Sequence, residues 1–359
     1  MALVVDDHHR DNLAEFAQAV DKAISTHNSS CVAFDCEGEN LSRVGTVELV
    51  AICFEEPLRE NFTFAGDIAN LLLTGMRLSM IMVGGAYGGL LGAAAAAIVA
   101  LNLQYPAKNL GTEKTTVFLV DLNVVKDTRN LRERVAILKR LLESPATVKV
   151  IHDCRMDSDA LYHRHGIRLR NIHDTSCFHA IEKGAADTSL NDVLLYHGLP
   201  QNNVRDNSVY KYNPRYWATR PLTKDMIEWS SSDVDKLLAV ASKQTLTAKS
   251  RWKYKKAMGA SRAFAAFARD MKLEREVVCL CHVGGFVGRQ GANIRRLQNQ
   301  TGTLIYREHA RNKFMIYYRD KASLNEVKRE MGHSVDTLSP ITSGIAIACS
   351  VIAAILLNM

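Results

Sequence analysis

The chain has 359 residues and a mass of 39.9 kDa, with 47% hydrophobic and 23% charged residues. That is enough for two domains and extras, and it excludes wholesale disorder, a collagen-like repeat and a disulfide scaffold. The eight cysteines (Cys31, Cys36, Cys53, Cys154, Cys177, Cys279, Cys281 and Cys349) form no C-x-x-C pair, and the N-terminus lacks the basic start and apolar stretch of a signal peptide. The reading is reduced thiols facing the cytosol or nucleus, and no zinc site. The net charge of +7 is uneven, because Lys243 to Met331 holds 20 Lys and Arg against 7 Asp and Glu, leaving the rest at −6. A basic third points to a polyanion partner, and a mildly acidic remainder suits carboxylates gathered around metal ions.

In chain order, Val32-Ala-Phe-Asp35 begins a short apolar run and Gly45 to Phe54 is β-rich, so the two are predicted as neighbouring strands. Thr115 to Asp121 is predicted to complete a meander. Helical periodicity follows from Asn130 to Leu142, then a strand at Val148 to Ile151, then a helix opening at Asp157 to Tyr162. The expected fold class is α/β with a mixed sheet.

Leu78 to Ala107 carries no charged residue and includes Gly84-Gly85, Gly88-Gly89 and Ala93 to Ala97. As one helix it reaches roughly 45 Å, enough to cross a bilayer. A single crossing inside a strand connection, however, puts adjacent strands on opposite sides of the membrane, and a hairpin leaves two arms of roughly 20 Å, each too short. The expectation is an Ala/Gly-rich insertion at about 70–108, either packed on the domain or poorly ordered.

Asp35-Cys-Glu37 places two carboxylates at i and i+2, on one face of a strand. Further acids follow a strand in His152-Asp153-Cys-Arg-Met-Asp157-Ser-Asp159, and others open a helix in Trp229-Ser-Ser-Ser-Asp233-Val-Asp235. Acids crowded in this way repel one another unless divalent cations neutralise them, and hard oxygen ligands favour magnesium or manganese. Asp121 and Asp174 read as structural, the one ending a strand and the other heading a turn.

These motifs resemble those of the DEDD superfamily of 3′–5′ exonucleases, the ribonuclease D-like group with a ribonuclease H-like fold. Phe34-Asp35-Cys-Glu37-Gly38 is similar to its first motif, Val150 to Asp157 to its second and Trp229 to Asp233 to its third. Trp217-Ala-Thr-Arg-Pro-Leu-Thr223 is similar to the W-x-x-R-P-L segment that precedes the third. The resemblance covers residues 10–245. It implies two-metal hydrolysis of a phosphodiester, with Asp35, Glu37, Asp157 and Asp233 holding two Mg²⁺ or Mn²⁺ ions. By sequence alone Asp153 and Asp159 compete with Asp157; alignment to the family motif selects Asp157. One departure concerns catalysis: active members place Tyr four residues before the last Asp, or His five before it, where this chain has Trp229 and Glu228. An indole donates one hydrogen bond and accepts no proton.

Lys249-Ser-Arg-Trp-Lys-Tyr-Lys-Lys256 interleaves aromatics with positive charge, in a stretch (246–273) read as a basic linker. Two readings stay open for it: an RNA-stacking strip, or a solvated helix with Trp252 and Tyr254 turned inward. Val277 to Val283 alternates like a strand and leads into Gly288-Arg289-Gln290-Gly291, then Ile294, Arg295, Arg296 and Leu297 at helical spacing. A strand pair (Gly302 to Arg307, Lys313 to Tyr318) and a final helix (Leu324 to Met331) follow. The series at 274–332 resembles a KH domain, a smaller α+β unit. That resemblance implies that Gly288, Arg289, Gln290, Gly291, Ile294 and Arg295 hold single-stranded RNA, since glycines let the backbone approach phosphate and a helix N-terminus favours negative charge.

Leu338 to Met359 is uncharged and strongly apolar from Ile345 to Leu357, with Lys328 and Arg329 before it. Two readings stay open for it: a membrane anchor that leaves the remainder facing the cytoplasm, which its length and composition favour, or a terminal helix docked on the core. The whole resembles a plant-type family of exonuclease/KH proteins, with motif wording close to the Egalitarian branch. The expected function is a metal-dependent 3′–5′ exoribonuclease fed by an RNA-binding module; the alternative is a degenerate exonuclease fold serving as an RNA-binding adaptor.

Overall fold

In the computed structural model the described residues are 2–25, 31–55, 115–123, 128–184, 188–206, 208–248, 251–307 and 312–333. The Ala/Gly-rich insertion expected at about 70–108 and the apolar tail at 338–359 lie outside them. Among the described residues no helix is long and apolar enough to cross a membrane.

The first sheet has six strands in the order β1-β4-β3-β2-β5-β6. These are β1 (Ala2–Val5), β2 (Cys31–Glu37), β3 (Leu49–Glu55), β4 (Thr115–Asp121), β5 (Val148–Ile151) and β6 (Ile172–Asp174). The meander β2-β3-β4 is antiparallel, while β1 joins β4, and β5 and β6 extend the sheet beyond β2, in parallel. The sheet is therefore mixed, and it takes in residues ahead of 10. Alternation assigns its faces. Val32, Phe34 and Cys36 turn to the core with Phe16 of α1 (Arg10–Ser25) and Leu138 of α2 (Thr128–Leu142). Ala33, Leu49 and Ala51 turn the other way, onto Met226, Trp229 and Val234. Asp35 and Glu37 share the parity of Ala33, so they point towards this second layer.

The first-sheet unit continues with α3 (Arg155–His165), α4 (Thr175–Lys183), α5 (Leu190–Tyr196), α6 (Val209–Tyr212), α7 (Lys224–Asp235) and α8 (Leu237–Thr247). α7 starts where Thr223 Oγ1 accepts the Met226 N–H at 3.2 Å. The stretch expected as a basic linker holds helix α9 (Arg251–Phe267), which packs on α3, α4 and β6. Ala260, Phe264 and Ala265 of α9 enter the first core, and Ser261 Oγ accepts the Asp174 N–H at 3.1 Å. The two aromatics of this stretch part company: Tyr254 meets the Phe178 ring edge-on, whereas Trp252 is 55% exposed beneath the Lys256 ammonium.

A second sheet, order β7-β9-β8, is antiparallel and built from β7 (Lys272–Val278), β8 (Leu304–Arg307) and β9 (Lys313–Tyr318). α10 (Val283–Val287) and α11 (Ala292–Thr301) lie between β7 and β8, and α12 (Lys321–Glu330) follows β9. The strand expected at Val277–Val283 therefore sits earlier: pairing with β9 selects Lys272–Val278, and beyond it Leu280 and Cys281 donate to the Met331 carbonyl instead of to a strand. Phe314, Ile316 and Tyr318 face α10, α11 and α12, while Tyr317 faces the first unit with Phe267, Met271 and Leu304.

Tyr317 carries the junction between the units. Its hydroxyl donates to Asp159 Oδ2 at 3.0 Å, and the Arg43 guanidinium, 5.2 Å from its ring centre, donates to Asp159 Oδ1 and to the Ala268 carbonyl. Tyr317 and Asp159 are both 0% exposed. An ionised carboxylate there is tolerable because a guanidinium, a backbone N–H and a phenol all bond it.

Candidate active site

Four carboxylates meet at one end of the first sheet. Oxygens of Asp35, Glu37 and Asp233 lie within 4.8 Å of one another. Asp157, on the first turn of α3, accepts the Cys36 N–H at 3.1 Å, which ties it to the strand residue between Asp35 and Glu37. Gly38 ends that strand: a Cβ there would lie 2.1 Å from the Thr46 carbonyl, so only glycine lets the chain turn directly behind Glu37. Asp233 stands one helical turn after Trp229 on α7, and Asn202 donates to its Oδ1 at 2.6 Å.

The neighbouring acids are engaged elsewhere. Asp153 takes two bonds from Arg155 at 2.7 Å, and Asp159 belongs to the junction. Asp174 caps α4 and also accepts the Cys154 N–H. Asp121 receives Arg220 of the W-x-x-R-P-L segment at 2.6 and 2.5 Å.

Burial raises the proton affinity of the whole group. The Asp35 carboxyl is pushed well above the usual carboxylate range by burial and then by the charges of Asp157, Glu37 and Asp233. Burial raises Glu37 and Asp233 likewise, against the opposing field of Arg205. Asp157 is pushed up to about 7 by burial and by Asp153, against the hydrogen bonds it accepts. Glu37 Oε1 and Asp233 Oδ2 are buried with no hydrogen-bond partner. Buried acceptors left without partners each cost about 1–3 kcal/mol. Converging oxygen donors with unfilled acceptor capacity fit hard divalent cations, so the residues present suit magnesium or manganese.

Three residues here had no signal in the sequence. Arg205, exposed on an unpatterned polar loop, is held in its charged form by Asp233, Glu37 and Asp35. Asn202 orients Asp233. Tyr210 lines the cavity in front of the acids, accepts the Trp217 indole N–H at 2.9 Å, and has its phenol pushed up to about 12 by burial and the Glu37 charge. Trp229 is 2% exposed; Trp217, Tyr210 and Tyr216 surround its ring, and its indole N–H closes no full hydrogen bond but favours the charged form of Asp233 one helical turn on.

The cavity has a volume of about 750 Å³, and both units line it. Asp35, Glu37, Asp157 and Arg205 form one end, and Gln298, Leu304, Tyr306 and Arg307 of the second unit form the other. The glycine turn is separate from this lining. Gly288 and Gly291 have φ of 74° and 78°, conformations that favour glycine, and they join α10 to α11. Arg289 and Arg295 beside them are exposed, while Ile294 packs partly into the second core.

Residues 104–247, which include Asp157, Trp229 and Asp233, match the family model described as 3′–5′ exonuclease. Over these residues the chain is similar to a 3′–5′ exonuclease domain, and Asp35 and Glu37 lie ahead of the matched stretch. Among curated relatives it is 47% identical over 75 residues to the "piRNA biogenesis protein EXD1" of Bombyx mori, covering 19% of this chain and 24% of that one. It is 31% identical over 97 residues to ribonuclease D of Nitrobacter hamburgensis, covering 27% and 24%. The chain thus spans about a quarter of the length of these relatives. Among solved structures, ribonuclease D of Trypanosoma brucei aligns with a TM-score of 0.48 at 16% identity, over 75% of this chain and 72% of that one.

Proposed function

We propose that the protein is a metal-dependent 3′–5′ exoribonuclease whose C-terminal unit is a KH domain that presents single-stranded RNA to the acidic site. The carrying observation is that one cavity joins Asp35, Glu37 and Asp157 to Tyr306 and Arg307 of the second unit. The order of elements β-α-α-β-β-α and the positive φ of Gly288 and Gly291 support the KH reading. Arg289 and Arg295 flank a turn whose backbone can approach phosphate. The exonuclease/KH pairing is also what supports kinship with plant-type and Egalitarian-like proteins.

Asp35, Glu37, Asp157 and Asp233 would hold two divalent ions, which would supply Lewis-acid activation of water and charge neutralisation at the leaving 3′ oxygen. Asn202 holds Asp233 in position for this role. Arg205 balances the carboxylates and reaches a phosphate oxygen once they are neutralised. The Tyr210 phenol, in the cavity and sensing Glu37, fills the water-orienting role that Trp229 cannot take. Products are nucleoside 5′-monophosphates.

Trp229 favours a second reading, an RNA-binding adaptor on an exonuclease fold. The two are separated with 3′- or 5′-labelled single-stranded RNA and Mg²⁺ or Mn²⁺. Stepwise shortening from the 3′ end, stopped by EDTA and by Asp35→Asn, supports the enzyme. Binding without shortening, in the wild type and in Trp229→Tyr alike, supports the adaptor. Membrane attachment through 338–359, with the rest of the chain facing the cytoplasm, is tested by fusing 334–359 to a soluble reporter; a diffuse reporter rejects it.

A further inference from the structure

A second group of ligand atoms lies apart from the acidic cavity. His179 and Glu182 are three residues apart on α4, hence on one face of the helix. His197 is the residue that closes α5. His179 Nδ1, Glu182 Oε2 and His197 Nε2 are all buried, and none has a hydrogen-bond partner. Yet they converge, since the ligand atoms of these three residues lie within 4.8 Å of one another and Glu182 Oε2 is 3.4 Å from His197 Nε2. The two histidines are 5% and 9% exposed, so water does not freely satisfy them.

An ion pair between protonated His197 and Glu182 accounts for two of these atoms and leaves His179 Nδ1 unpaired. A cation between them accounts for all three. Two imidazole nitrogens and one carboxylate oxygen are a donor set for zinc, whereas magnesium and calcium take oxygens. Tetrahedral zinc with bonds of about 2.0–2.1 Å sets neighbouring donors about 3.3 Å apart, close to the Glu182–His197 spacing. One outer contact to a ligand group is present, since Thr247 Oγ1 donates to the other Glu182 oxygen, and Lys243 Nζ fixes the backbone of the cap by donating to the His197 carbonyl at 2.7 Å.

We propose that His179, Glu182 and His197 bind a zinc ion that leaves a fourth position for solvent and clamps the end of α5 to α4. The segment leaving this clamp carries Asn202 and Arg205 to Asp233, so the ion steadies one wall of the acidic site without taking part in its chemistry. The absence of a zinc site expected from cysteine spacing concerns thiolate ligands; these donors are imidazole and carboxylate, brought together by the fold.

The test uses the full chain as purified, in a background of Asp35→Asn with Glu37→Gln so that the acidic site does not compete for the metal. Zinc content after desalting, melting temperature with and without added Zn²⁺, and the visible spectrum after Co²⁺ loading are measured. Expected are stoichiometric zinc, a higher melting temperature with the metal, and a tetrahedral cobalt spectrum without thiolate charge transfer. Zinc affinity is expected to fall by more than roughly 100-fold in Glu182→Gln and in His179→Ala, beyond the cost of losing an outer-shell partner. Failure of the background protein to retain zinc overturns the proposal, as does undiminished affinity in both variants. A thiolate band overturns it by moving the metal to Cys279 and Cys281, whose sulfurs are 3.3 Å apart. Should the histidine variant not fold, the cobalt spectrum of the background protein together with Glu182→Gln decides.

Discussion

In the acidic site Glu37, Asp157 and Asp233 are buried carboxylates crowded around the half-buried Asp35, whereas Arg289 and Arg295 of the second unit stand on a turn within reach of solvent. The first set bears desolvation and mutual repulsion, visible as carboxyls pushed upward. The second set is solvated whether or not anything is bound. Buried charges accordingly act through fixed geometry, and losing one is felt fully; solvated charges act through their number, and each loss is graded.

The sharpest way to break this contrast is at the acids. Asp35→Asn is expected to lower RNA shortening on the order of 10³-fold or more while leaving RNA affinity unchanged, measured as single-turnover cleavage beside filter binding. An equal loss of both would mean that the carboxylate supports the fold rather than the chemistry.

Next in size is the junction. Asp159→Ala strands the Arg43 guanidinium and the Tyr317 hydroxyl at a buried interface, and is expected to cost about 3–5 kcal/mol in urea unfolding. Tyr317→Phe removes one hydrogen bond at the same place and is expected to cost about 1–1.5 kcal/mol. Equal effects would show that the two units do not share this carboxylate.

His173 tests burial through pH. Its ring is 0% exposed, stacked on Phe178, and bonded to Gln244 at 2.9 Å, and burial lowers its pKa from 6.5 to about 4. The unfolded chain therefore binds the proton first, so stability is present above pH 6.5 and is lost as pH falls towards 4. The loss expected across that window is about 3 kcal/mol, and His173→Gln is expected to remove it from denaturation curves recorded at neutral pH and at about pH 4.5.

The smallest effects belong to the solvated side. Arg289→Ala with Arg295→Ala is expected to weaken RNA binding by a modest factor and to lower the slope of log affinity against log salt by about 0.7 for each phosphate that is no longer neutralised. Cleavage of saturating RNA should hold. An unchanged slope would remove these arginines from the RNA path.

Much of the fold is legible in short-range pattern. The strands at Thr115–Asp121 and Val148–Ile151 and the helix ending at Leu142 follow from alternation and helical period, because their apolar faces are built from near neighbours in sequence. β1 carries too little periodicity to be legible: four residues become a strand only by pairing in parallel with β4, more than a hundred residues away. The apolar run at Val277–Val283 alternates well enough for a strand, but β9 offers partners earlier, and the run becomes the approach to α10.

By itself the sequence determined which face of β2 carries acid, since Asp35 and Glu37 are two residues apart, and it determined the glycine turn, since only glycine takes the backbone at Gly288 and Gly291 without strain. Only the tertiary structure decided that Arg205, Asn202 and Tyr210 join that acid, that Asp159 binds the second unit while Asp157 faces the cavity, and that His179, Glu182 and His197 converge. Spacing along one strand or helix is a local property of the backbone. Convergence across elements depends on how distant faces are buried against each other, and no short segment carries that information.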